Sequence, residues 1–215
     1  MSHQAKVYST THMLQQIARC IRIALRHIRF FHPWDHENRA KRRALEVLFR
    51  ESNLFLRNLG VDYWLVFGTL LGYFREGGII RHDYDIDFGA HESEYERIWK
   101  NRHRLPKGFR LYDTSYKHPG PKLYISYQGW EADIYFFEDM SSTFRCFLAS
   151  DYQGEVGPFP KNYIYPLKKA LFLGESTFVP NLPKPYLTHM YGYLGKDAVQ
   201  DKITGYWHHK GSKNL

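Results

Sequence analysis

The chain has 215 residues, of which 43% are hydrophobic and 17% aromatic. That is enough apolar mass for the core of one medium domain, and it excludes a globally disordered chain. With 30 Lys and Arg against 22 Asp and Glu, the formal net charge is +8. This balance favours an anionic partner: nucleic acid, a nucleotide, an anionic glycan or an acidic membrane surface. The only two cysteines, Cys20 and Cys146, lack the spacing of a zinc knuckle or a disulfide framework, so both are expected to be free thiols. No apolar run reaches the roughly 18 residues that a membrane span requires, and the N-terminus lacks the apolar core of a signal peptide. A cytoplasmic location is therefore expected.

In chain order, residues 1–37 read as a basic, amphipathic extension. Within it, Met13 to Phe31 carries apolar residues at helical spacing, with Arg19, Arg22, Arg26 and Arg29 on the remaining surface. Such a helix can lie peripherally on an anionic membrane. A second helix is expected from Asn38 to Leu59, stopped by Gly60. Tyr63 to Phe67 reads as a buried strand, Leu70 to Glu76 as a short helix closed by Gly77-Gly78, and Tyr84 to Phe88 as a second strand. A helix from Ser93 to Arg102 follows. Phe109 to Tyr112, Leu123 to Tyr127 and Ala132 to Phe137 read as strands, the last two joined by a hairpin at Gln128-Gly129. From Ser141 the periodicity weakens, leaving a loop-rich stretch with short pieces near Lys169 to Phe172 and Tyr186 to Tyr191. Residues 205–215 read as a flexible basic tail. The pattern is a mixed β-sheet flanked by helices, α/β or α+β.

The chemistry-bearing segment is Gly68-Thr69-Leu70-Leu71-Gly72, then Arg75, then Ile80-Arg81-His82-Asp83-Tyr84-Asp85-Ile86-Asp87. In a strand, alternate side chains share a face. Asp83, Asp85 and Asp87 would then lie together, with Tyr84, Ile86 and Phe88 turned to the core. Carboxylates so close repel one another, and bound cations relieve that repulsion. Asp133, 46 residues after Asp87, can add a third ligand if its strand is a neighbour. Hard oxygen ligands suit Mg²⁺ or Mn²⁺. Gly68 permits close backbone approach, and Thr69 with the amides after it can hold a phosphate oxygen at a helix start.

The whole pattern resembles the core of the LicD/fukutin-related family of the nucleotidyltransferase superfamily. The family runs Gly-Thr-Leu-Leu-Gly, Arg, then Ile-Pro-Trp-Asp-Asp-Asp-Ile-Asp. The likeness resumes at Asp133, near Pro166 to Phe172, and at Pro180 to Gly192, covering roughly residues 45–195. Here Arg81-His82 replaces Pro-Trp and Tyr84 replaces the middle aspartate, while Asp85 and Asp87 are intact.

The resemblance implies an α+β nucleotidyltransferase-like catalytic domain over residues 38–204. It implies transfer of an alcohol phosphate from a CDP-alcohol donor to a hydroxyl of a glycan or lipid-linked glycan, with CMP leaving. Asp85, Asp87 and Asp133 would be the catalytic, metal-holding carboxylates for Mg²⁺ or Mn²⁺, with Asp133 a candidate to take the acceptor's proton. Gly68, Thr69, Arg75, Arg81, His82, Lys122, Lys168 and Lys169 would contact substrate. Arg75 comes first, because its fork matches two phosphate oxygens. A solvated surface lysine is the plain alternative for Lys122, Lys168 and Lys169. Two other functions remain open: a nucleotidyltransferase with an NTP donor, and a non-catalytic basic scaffold. No RNA-binding module is recognisable, so nucleic acid is not the expected partner.

Overall fold

A computed structural model describes residues 36–150 and 152–212. The basic helix expected over residues 13–31, and Cys20 within it, lie outside the described residues. Two units meet at Arg42–Arg43, and the larger, Arg43–Leu215, carries the sheet.

Helix α1 (His36–Leu59) buries Leu45, Leu48, Phe49, Ser52, Phe55 and Leu56, the i, i+3, i+4 stripe of an amphipathic helix. It ends at Gly60, whose φ of +63° suits the left-handed stop. The chain then enters β1 (Tyr63–Leu65), α2 (Phe67–Glu76) and β2 (Asp85–His91). Two 3₁₀ turns flank the short α3 (Tyr95–Lys100), where one helix was expected. Strands β3 (Phe109–Asp113), β4 (Lys122–Tyr127) and β5 (Trp130–Met140) follow. The β4–β5 turn places Gln128 at φ +49° and Gly129 at +83°, the mirror-image turn that matches strand twist.

The main sheet is seven-stranded and mixed, ordered β1-β2-β5-β4-β3, with β6 (Thr143–Cys146) beside β5 and β7 (Phe159–Pro160) beside β6. Only β2 and β5 run parallel. The expected α+β class is therefore observed. In the β2–β5 register, Ile86, Phe88 and Ala90 lie opposite Ala132, Ile134 and Phe136, and all six are buried. Phe49 of α1 packs on this face, its ring 6.0 Å from that of Phe88. Asn53, also on α1, accepts from the Tyr63 hydroxyl at 2.6 Å and donates to the Ser176 carbonyl at 3.0 Å. On the opposite face, Trp64 lies over Gly89, and a Cβ there would come 2.6 Å from the indole.

After Ser141 the chain is more regular than its sequence indicates. It forms α4 (Gln153–Val156), α5 (Lys161–Ile164), a β8–β9 hairpin (Lys168–Phe172 with Glu175–Val179) and α6 (Pro183–Tyr191). Within the stretch read as a tail, β11 (Trp207–His209) pairs with β10 (Ala198–Gln200). These pieces are too short to show a period, and tertiary packing decides them. Among the described residues, no helix is long and apolar enough to cross a membrane.

Candidate active site

The parallel pairing of β2 and β5 assembles the carboxylates. Asp87 sits directly opposite Asp133, and Asp85 is two residues earlier on the same face. One oxygen from each of Asp85, Asp87 and Asp133 lies within 4.8 Å of the other two. Asp87 and Asp133 are buried. Burial first, then the charges of Asp85, Asp83 and Asp133, push the Asp87 carboxyl well above the ordinary carboxylate range, against a lowering hydrogen bond from Thr69.

Thr69 is tied to Asp87 from both sides. Its hydroxyl accepts from the Asp87 amide at 2.8 Å, and its own amide donates to Asp87 Oδ2 at 3.4 Å. The hydroxyl thus holds the Asp87 backbone and the amide its carboxylate, two bonds not visible in the sequence. Phe67, which opens α2, has φ +47°, a left-handed conformation uncommon outside glycine. This sharp entry swings Gly68 and Thr69 over the strand ends. A Cβ on Gly68 would meet Asp83 Oδ2 at 2.7 Å, so the glycine makes room for that carboxylate.

Two corrections concern the segment before β2. The strand begins at Asp85, so Asp83 belongs to a turn, its amide bonded to the Ile80 carbonyl at 2.9 Å. Tyr84, expected to face the core, is instead exposed, because the pleat that would turn it inward starts one residue later.

A cavity of about 490 Å³ opens beside Gly68 and Asp83, its lining also including Arg75, His82, Tyr191 and Trp207; Asp85, Asp87 and Asp133 are not among its lining residues. Arg75 pairs with Glu76 at 3.0 Å, while its buried Nε has no hydrogen-bond partner. Arg75 lines this cavity, and a guanidinium fork can grip two phosphate oxygens. Burial, then the charges of Asp87, Glu155 and Asp83, raise the Tyr191 phenol well above its ordinary value.

Of the remaining expected residues, His82 lines the cavity. Arg81 is exposed on the turn, and Lys168 and Lys169 are exposed on β8; none of the three lines the cavity. Lys122 is no solvated lysine: it is buried, its Nζ 2.8 Å from Asp133 Oδ1. Sequence reasoning missed Tyr193, Lys196 and Trp207 as cavity wall. Tyr191-Gly192 was the one signal pointing there, through its likeness to the family's closing segment.

The donor set fits a divalent ion. Three carboxylates converge, all hard oxygen ligands, and the mutual repulsion felt at Asp87 is what a cation would relieve.

Residues 60–182 match the family described as LicD/FKTN/FKRP, nucleotidyltransferase domain. An uncharacterized protein of Rickettsia typhi is 31% identical over 159 residues, which are 73% of this chain and 48% of that protein. The mouse (Mus musculus) ribitol-5-phosphate transferase FKTN is 33% identical over 104 residues, 45% of this chain and 21% of that protein. The chain thus spans about half or less of the length of these relatives. The lincomycin-bound crystal structure of the lincosamide antibiotic adenylyltransferase LnuA superposes with a TM-score of 0.45 at 12% identity, covering 74% of this chain and 89% of that one.

Proposed function

The chain belongs to the LicD/FKTN/FKRP nucleotidyltransferase-domain family, and from that premise we propose that it is a metal-dependent phosphotransferase. It moves an alcohol phosphate, such as phosphocholine, ribitol phosphate or glycerol phosphate, from a CDP-alcohol to a hydroxyl of a glycan or lipid-linked glycan. The observation that carries this reading is the Asp87–Asp133 pair, facing each other across parallel strands with Asp85 beside them.

Asp85, Asp87 and Asp133 would hold Mg²⁺ or Mn²⁺, and the bound ion supplies positive charge to the transferring phosphoryl group. Thr69 holds Asp87 in place through its hydroxyl and amide. Arg75, in the cavity wall, would offer its guanidinium to a donor phosphate oxygen. The acceptor hydroxyl attacks the alcohol-bearing phosphorus, its proton passes to Asp133, and the P–O bond to CMP breaks in line. The relative FKTN is named as a ribitol-5-phosphate transferase, which supports an alcohol phosphate as the transferred group.

The test is a donor screen. Protein, Mn²⁺ and a mixed glycan acceptor are incubated with CDP-ribitol, CDP-choline, CDP-glycerol or each NTP, and products are read by mass spectrometry. CMP release with gain of an alcohol phosphate is expected. Pyrophosphate release from an NTP, with no CDP-alcohol turned over, would overturn the reading in favour of nucleotidyl transfer. Asp87→Asn should reduce turnover by at least about 100-fold, since it removes charge the transition state needs, while circular dichroism stays unchanged.

A further inference from the structure

Asp133 has both oxygens engaged by protein. Lys122 Nζ donates to Oδ1 at 2.8 Å, and the Tyr135 hydroxyl donates to Oδ2 at 3.1 Å. The two donors are themselves coupled. Lys122 and Tyr135 are directly opposite on β4 and β5, and Nζ lies 4.5 Å from the centre of the Tyr135 ring. Phe67 also packs against the Tyr135 ring, nearly perpendicular with centroids 4.7 Å apart. Asp133 is thus clamped from two directions, by groups that the turn entering α2 and the β4–β5 hairpin hold in place.

Stability alone does not account for this arrangement. A buried ion pair costs desolvation that roughly cancels its attraction, and an apolar side chain of similar volume often serves the fold as well. An ammonium bonded to one member of a cluster of three carboxylates does two things an apolar residue cannot. It fixes the direction of one carboxylate, and it offsets part of the cluster's negative charge.

We infer that Lys122 is a positioning residue of the active site, aiming Asp133 and acting as a built-in monovalent counter-charge to the aspartate cluster. The inference rests on the proposed phosphotransferase reading for its activity arm only. It has a two-sided consequence. Without Lys122 the cluster is more negative and Asp133 is free to swing toward an incoming ion, so divalent metal binds more tightly. The carboxylate is then no longer aimed, so turnover falls.

The experiment measures Mn²⁺ binding by titration calorimetry and, separately, turnover of the CDP-alcohol found active. Lys122→Met keeps the apolar stem and removes the charge. It should tighten Mn²⁺ binding by about tenfold or more, a modest share of the repulsion between a unit charge and a divalent ion a few ångströms apart. It should also lower kcat by about tenfold or more through loss of alignment, with less change in KM. Lys122→Arg should restore much of kcat, and Tyr135→Phe should lower kcat with Mn²⁺ affinity within about twofold of the parent. Unchanged or weakened Mn²⁺ binding in a folded Lys122→Met protein overturns the inference. If Lys122→Met does not fold, Tyr135→Phe and Lys122→Arg decide, and full kcat in Tyr135→Phe overturns it. If the parent protein binds Mn²⁺ but turns over no CDP-alcohol, the function reading fails and the metal arm still judges Lys122.

Discussion

Asp87 concentrates the electrostatics of this protein. Its carboxyl is held well above the ordinary range by burial and by three neighbouring carboxylates. A group whose folded value is raised favours its protonated form in the fold. The stability it lends is complete below the unfolded carboxylate value and is lost as pH rises through the raised folded value. Metal-free protein should therefore lose stability as pH climbs through that interval, and saturating Mn²⁺ should flatten the loss. The same linkage means that metal binding expels a proton on the acid side. Calorimetric titrations in buffers of different ionisation heat should show proton release that shrinks as pH rises; no buffer dependence at any pH would contradict the raised value. At this scale the sequence was informative about Asp85 and Asp87, whose period-two spacing lies within β2, and it failed at Asp83 and Tyr84, which precede the strand. It put Lys122 among the substrate contacts without its ion pair to Asp133, and it did not display the Thr69–Asp87 bonds, because the partner of a polar side chain depends on strand register, which one sequence does not show.

Elements with a strong period were legible, and the rest were not. Helix α1 follows its apolar stripe, and the β4–β5 hairpin follows Gln128-Gly129. Past Ser141, strands and helices of two to five residues dominate until α6; fragments so short carry no periodicity, and their shape comes from docking. Yet β10–β11 supplies Ala198, Gln200 and Trp207 to the cavity wall. Trp207 hangs from the bridge that joins it to Gly192, where a Cβ would come 2.9 Å from the Trp207 carbonyl. Trp207→Ala should raise KM for the CDP-alcohol by about tenfold, as loss of one aromatic wall costs roughly 1–1.5 kcal/mol. Its kcat should stay within about threefold, because the aspartates and Arg75 are untouched. A large fall in kcat with KM unchanged would place Trp207 outside the donor's path.

For the molecule as a whole, the order β1-β2-β5-β4-β3 has a kinetic meaning. The pairings of β3 with β4 and β4 with β5 are local hairpins, which close early. Strand β5 then has to slot in beside β2, joining residues 46 positions apart at the Asp87–Asp133 pair, and contacts of such separation form slowly. The aspartate cluster therefore does not exist in any chain that has only its hairpins; it appears when the sheet is knitted together. In stopped-flow refolding, the capacity to bind Mn²⁺ should emerge in the slowest phase, behind the first gain of β-sheet signal. An ion that grips a late-formed pairing contributes little to the folding transition state, so Mn²⁺ should leave the folding limb of the chevron nearly unmoved and slow unfolding instead. The aspartates would then act as a latch that is fastened last and released first.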